Sequence, residues 1–225
     1  MNWIYFNINE LKDEQYQSFL KYVSKEKQFR LDQYRFIEDS KRSLLADLLV
    51  RIELIKNLQC SNNDLRFSKN NYGKPICLNK NSLYFNVSHS GDYVVAAFSK
   101  QPIGIDIEKH KNMNYLKFES ILNRQEFEEI GKSDQPLKMF YRFWTAKESY
   151  VKAIGTGLAM KSLKEINILS NGSIEQSQIL TPYHISHYVG DHYTVSICMK
   201  NEHKYKKGKS VSIEYLKTFL EENIR

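Results

Sequence analysis

Glycine and proline are scarce, 9 and 4 in 225 residues, which excludes collagen-like repeats, linker-rich chains and low-complexity tracts. Cysteine is scarcer still. Cys60, Cys77 and Cys198 are odd in number, far apart and form no C-x-x-C, so they indicate neither a zinc site nor a disulfide framework, and a reducing cytoplasm suits them. No apolar run approaches the roughly 18 residues that a membrane span needs, so no membrane partner is expected. The N-terminal MNWIYFNINELKDE has no basic n-region, and Asn7 interrupts its short apolar run, so it does not read as a secretory signal. There is also no lopsided charge. Residues 1–104 carry 15 basic and 11 acidic side chains, and residues 105–225 carry 18 and 15. A basic arm for nucleic acid would concentrate in one place, and this chain has none.

What is present is a core-forming, basic composition. The chain is 41% hydrophobic and 13% aromatic, with a net charge of +7. A chain of this size buries about 70% of its unfolded surface, and the charge points to an anionic partner. One local cluster, Lys200, Lys204, Lys206, Lys207 and Lys209, reads either as a solvated loop or as a docking patch. The first 10 residues alternate as a strand, and residues 11–23 read as a helix. Leu45, Leu48, Leu49, Ile52 and Ile55 mark one face of a helix over 38–56. Residues 83–88, 93–99 and 103–108 read as strands joined by hairpin-length loops. Helices begin near Asn123 and Pro136, the second stopping at Gly155. Strands return around 166–170, 184–189 and 192–199, with a short final piece near 211–220.

Ser88-His89, Gly91-Asp92-Tyr93, Val95 and Lys100 are echoed by Ser186-His187, Gly190-Asp191, Tyr193, Val195 and Lys200. The echo suggests two related α+β halves, 1–104 and 105–225, with a cleft between them; chance similarity is the competing explanation.

The segment Ile103-Gly104-Ile105-Asp106-Ile107-Glu108 carries the most chemistry. Alternation in a strand sends Ile103, Ile105 and Ile107 to one face and Gly104, Asp106 and Glu108 to the other. Two adjacent carboxylates repel, so a cation belongs beside them, and a hard ion such as Mg²⁺ suits oxygen ligands. An amphipathic edge strand with a solvated acidic face is the plainer alternative. If the three strands from 83 to 108 form a meander, Glu108 ends beside the Ser88-His89 loop, where His89 could equally be a turn histidine. Further on, Glu148 and Lys152 stand at i and i+4 with Trp144 on their face. They read either as a surface ion pair or as a third carboxylate beside a cation, with Glu148 able to accept a proton from a hydroxyl. Glu126 completes a capping box with Asn123, which is enough to explain it, and is otherwise a supporting residue near the carboxylates. Gly155-Thr156-Gly157 follows a helix and lacks the spacing of a phosphate loop.

Taken in order, Gly73-Lys74-Pro75, Phe85-Asn86-Val87-Ser88-His89-Ser90, Gly104-Ile105-Asp106-Ile107-Glu108 and Trp144-Thr145-Ala146-Lys147-Glu148 with Lys152 resemble the 4′-phosphopantetheinyl transferases of the surfactin-synthetase-activating type. Each motif alone is weak; the ordered set at this spacing is specific. The resemblance implies a pseudo-twofold pair of similar α/β subdomains with the active site between them, and a monomer. It implies transfer of phosphopantetheine from coenzyme A to a serine of an apo peptidyl or acyl carrier protein in peptide, polyketide or fatty-acid biosynthesis, with Mg²⁺ required. Asp106, Glu108 and Glu148 then match the metal carboxylates, Glu148 the general base, and Lys152 the lysine near the pyrophosphate. Lys27, Arg30, Arg42, Lys74, Ser88 and His89 match coenzyme A positions, and Ser43 falls where relatives often have threonine. Two rivals remain: a Mg²⁺-dependent phosphodiesterase using the same carboxylates, and a basic nucleic-acid-binding module.

Overall fold

The computed structural model describes residues 1–118, 120–157, 163–201 and 207–223. Its strands and α-helices run β1 (Asn2–Asn7), α1 (Asp13–Phe19), α2 (Lys25–Asp32), α3 (Ile37–Leu58), β2 (Phe67–Lys69), β3 (Pro75–Cys77), β4 (Tyr84–Ser90), β5 (Tyr93–Ser99) and β6 (Ile103–Lys109). They continue with α4 (Arg124–Lys132), α5 (Pro136–Ile154), β7 (Ile166–Ile168), β8 (Ser173–Gln176), β9 (Ile179–Val189), β10 (Tyr193–Lys200), β11 (Lys209–Ser210) and α6 (Ile213–Asn223). The stretch read as one helix over 11–23 is a helix to Phe19 followed by a tighter 3₁₀ turn over 20–22. No helix among the described residues is long and apolar enough to cross a membrane. Lys204 and Lys206 of the lysine cluster lie outside the described residues.

The chain forms two compact α+β units. The first is Met1–Ser68, Pro75–Lys100 and Lys206–Arg225; the second is Lys69–Lys74 and Gln101–Tyr205. In the first, β11, β1, β5 and β4 form a sheet in that order. Its core joins Phe6 and Phe98 from the sheet, Leu44, Leu45, Leu48 and Leu49 from α3, and Leu216 and Leu220 from α6. In the second, the sheet order is β6-β10-β9-β8-β7. There Phe140, Phe143, Ala146 and Tyr150 of α5 pack with Ile174, Ile185 and Cys198.

Both units repeat one plan: a strand, a long helix, then a hairpin whose second strand returns to pair with the first strand. The sequence β1-α3-β4-β5 gives the order β1-β5-β4, and β6-α5-β9-β10 gives β6-β10-β9. The two echoed segments lie on the two hairpins, β4-β5 and β9-β10.

The expected meander does not form. Strand β5 pairs antiparallel with β4 on one side, and β1 takes its other edge, with Trp3 opposite Ala97 and Tyr5 opposite Val95. Strand β6 pairs instead with β10, with Asp106 opposite Ser196 and Glu108 opposite Thr194. The strand pairing that was to bring Glu108 beside Ser88-His89 is therefore absent. His89 is not a turn residue either. It is exposed on β4 opposite Val94, and the turn proper is only Gly91-Asp92.

Candidate active site

Strand β6 lies at the edge of its sheet and lays its Gly104-Asp106-Glu108 face against α5. The fit at Gly104 is close: a Cβ there would come within 1.9 Å of the Ser149 carbonyl oxygen and 2.5 Å of the Ala153 nitrogen. Only glycine allows this approach. One result is that Asp106 is only 3% exposed, while Glu108 at the end of the same face is half-buried. The cation expected beside the acidic pair is present as a side chain. Lys152, in the last turn of α5, places Nζ 2.5 Å from Asp106 Oδ1.

Glu148, one turn back along α5, is half-buried. Burial raises its carboxyl above the ordinary value, the charge on Asp106 adds to this, Lys152 opposes it, and Glu108 adds again. Three carboxylates, Asp106, Glu108 and Glu148, therefore feel one another, with the Lys152 ammonium among them. Among the described residues, no three carboxylate, imidazole or thiol groups are already drawn together as a metal site. The donor chemistry nevertheless suits a hard divalent cation: every donor is an oxygen, and the carboxylates repel one another.

Behind this face lies a buried ion pair. Lys147 is 0% and Glu126 1% exposed, with Nζ 2.6 Å from Oε2. The same ammonium donates to the carbonyls of Ile121 (2.8 Å) and Leu163 (3.0 Å). Burial raises the Glu126 carboxyl and lowers the Lys147 amine, against the attraction between them. Glu126 also closes the Asn123 capping box, accepting from the Asn123 N–H at 2.9 Å. Its role here is structural: it fixes the start of α4 to α5. The sequence motif quotes Lys147 but gives it no role. The signal was available, because Lys147 falls on the apolar stripe of Phe140, Phe143 and Tyr150, where a cation needs a buried partner.

In the first unit, Lys27 of α2 donates through Nζ to Ser43 Oγ of α3 at 2.8 Å. Burial lowers its pKa, Asp47 opposing. Tyr34, which the sequence gave no reason to choose, donates to the same Oγ at 3.3 Å. Arg42 reaches the turn that follows Ser88 and His89, donating to the Gly91 carbonyl at 2.8 Å, and pairs with Asp39 at 2.6 Å. Ser88 is buried on β4. Arg30 is exposed and lies 3.7 Å from Glu26. Lys27, Ser43 and Arg42 thus stand on neighbouring turns of α2 and α3.

Lys74 belongs to the second unit, and its ammonium donates to the carbonyls of Lys152 (2.5 Å) and Ile103 (3.1 Å). Burial pushes its pKa down to about 8.

Comparison with known proteins defines the class. Residues 10–101 match the model described as 4′-phosphopantetheinyl transferase, N-terminal, and residues 102–203 match the 4′-phosphopantetheinyl transferase superfamily. The chain is 34% identical over 194 residues to the 4′-phosphopantetheinyl transferase Sfp of Bacillus subtilis (strain 168), covering 84% of this chain and 87% of that one. It is 41% identical over 138 residues to the 4′-phosphopantetheinyl transferase gsp of Aneurinibacillus migulanus, covering 60% and 57%. A solved holo-(acyl-carrier-protein) synthase from Bacillus anthracis str. Ames, in complex with CoA (3′,5′-ADP), aligns at 24% identity over 45% of this chain and 96% of that one, with a TM-score of 0.38. The chain belongs to the 4′-phosphopantetheinyl transferase family, and within it to the surfactin-synthetase-activating type.

Proposed function

We propose that the protein transfers the 4′-phosphopantetheine arm of coenzyme A to a serine hydroxyl of an apo peptidyl or acyl carrier protein. The observation that carries this reading is the β6–α5 pair: two carboxylates on β6, a third on α5, and the Lys152 ammonium 2.5 Å from Asp106, in a chain of this family. The bond that forms joins the serine Oγ to the β-phosphorus of the coenzyme. The bond that breaks releases adenosine 3′,5′-bisphosphate, and the products are balanced by one proton leaving the serine.

Each residue then has a task. By its place in the family pattern, Glu148 accepts the serine proton. Lys152 offsets negative charge on the phosphate of the departing adenosine 3′,5′-bisphosphate. Asp106, Glu108 and Glu148 would hold Mg²⁺, which when bound would supply positive charge to offset that of the coenzyme's phosphates. Lys27, Arg30 and Arg42 offer cations to the coenzyme phosphates, and Ser43, Ser88 and His89 offer hydrogen bonds. Phosphoryl transfer asks a protein mainly to position groups and neutralise spreading charge, and this residue set is suited to both.

The test is to incubate the protein with coenzyme A, Mg²⁺ and a panel of apo carriers, and to weigh each carrier. The expected outcome is a carrier heavier by one phosphopantetheine. No added mass on any of several carriers refutes the reading, and release of phosphopantetheine without an acceptor converts it to a phosphodiesterase. Asp106→Asn and Glu148→Gln are expected to lower transfer by a factor of about 10² or more, in line with the loss of a charge-stabilising group or a general base. Removing Mg²⁺ with a chelator is expected to stop transfer, and adding it back to restore it.

A further inference from the structure

The Asn70–Lys74 loop is closed on itself. Asn70 Oδ1 accepts the backbone N–H groups of Tyr72 and Lys74, each at 2.9 Å. The Asn70 N–H donates to the Lys74 carbonyl at 2.9 Å, and the Gly73 N–H to the Asn70 carbonyl at 3.0 Å. So locked, the loop aims two donors at the C-terminal end of α5. Asn70 Nδ2 donates to the Gly155 carbonyl at 2.9 Å, and Lys74 Nζ to the Lys152 carbonyl at 2.5 Å. The last carbonyls of a helix lack intrahelical donors and form the negative end of its dipole, so an ammonium and an amide belong there. Gly155 makes the approach possible: its φ is 76°, and a Cβ would lie 3.0 Å from Asn70 Nδ2.

Lys74 reaches further than a cap. The same Nζ donates to the carbonyl of Ile103, the first residue of β6, at 3.1 Å. One ammonium thus ties the start of β6 to the last turn of α5. These two elements carry Asp106 and Lys152, whose side chains meet at 2.5 Å.

We propose that Lys74 and Asn70 are positioning residues for the transfer reaction: they clamp the last turn of α5, at Lys152 and Gly155, and tie it to β6 so that the Lys152 ammonium stays on Asp106. The kinetic part of this proposal rests on the transferase reading; the clamp itself does not. A displacement of about 1 Å at a reacting group can cost on the order of 10²-fold in rate, so a loosened α5 terminus is expected to act on kcat.

Two variants test it. Lys74→Met removes the ammonium and keeps the length. Asn70→Asp keeps the acceptor that closes the loop and removes the donor to Gly155. Both are expected to lower kcat by about tenfold or more, with the affinity for coenzyme A alone, measured by calorimetry, changed less than about twofold. Amide hydrogen exchange at 151–155 and 103–106 is expected to quicken in both variants, a readout that needs no transfer activity. A tenfold loss of coenzyme A affinity in Lys74→Met with kcat held would make Lys74 a phosphate ligand and overturn the proposal. So would wild-type kcat and wild-type exchange in Asn70→Asp, including the case where Lys74→Met fails to fold. If the wild-type protein transfers nothing to any carrier, the transferase reading fails, while the exchange measurement still decides the clamp.

Discussion

At the residue scale, two side chains separate what supports the site from what acts in it. Lys147 and Glu126 are both inside, and burial works against each one's charge. Such a pair adds little to stability as a pair, but removing one partner strands the other. Lys147→Met is expected to cost about 3–5 kcal/mol in chemical denaturation, and the double variant Glu126→Gln/Lys147→Met to recover most of the loss. Gly104→Ala is expected to cost at least about 2 kcal/mol, because the new Cβ meets backbone rather than a movable side chain. It should lower transfer as well, since β6 must move off α5 and take Asp106 from Lys152. Residues whose chemistry is written in alternation or motif order, Asp106, Glu108, Glu148 and Lys152, were legible in the sequence. Asn70 and the engaged state of Lys74 were not. Their partners are carbonyls, and a carbonyl leaves no trace in the residue code.

At the element scale, local periodicity was readable and long-range pairing was not. The α3 stripe and the capping box of α4 were visible because each is set by residues within about two turns. The link from β5 to β6 is hairpin length, yet β1 holds the edge that β6 would need. Nothing local to 100–102 reveals that competitor. The β9–β10 hairpin gives a further prediction. His187 on β9 has Nδ1 2.9 Å from Ser196 Oγ, which in turn lies 2.6 Å from Thr145 Oγ1 of α5. Burial first, then the charges of Arg142 and His184, push its pKa down to about 3, so the imidazole is neutral in the fold. The unfolded chain takes up a proton near the ordinary value of 6.5, so below that pH it binds more protons than the fold. The stability from this site is whole above pH 6.5 and declines as pH falls towards 3. His187→Asn, which can keep a bond to Ser196, is expected to flatten the acid limb of the stability–pH curve measured by urea unfolding.

At the scale of the whole molecule, the net charge of +7 is shared by both parts of the chain, with no basic tail. On the proposed function the co-substrate is a polyphosphate, and a basic protein should associate faster with it, and with any acidic carrier, at low salt. Raising ionic strength from about 0.05 to 0.5 M is therefore expected to raise KM for carrier and coenzyme A several-fold and to move kcat little, as steady-state kinetics would show. The path of the chain has a consequence for how the protein is made. The first unit takes β11 and α6 from the far end of the sequence: Lys209 pairs with Ile4, and Leu216 and Leu220 enter the same core as Phe6. On the ribosome, then, the part translated first is the part completed last. The intervening unit can close while its predecessor still waits for an edge strand and a helix. Chains truncated after β10, near residue 205, and released should accordingly show a protease-resistant second unit beside a susceptible first one, whose open core a chaperone would have to guard.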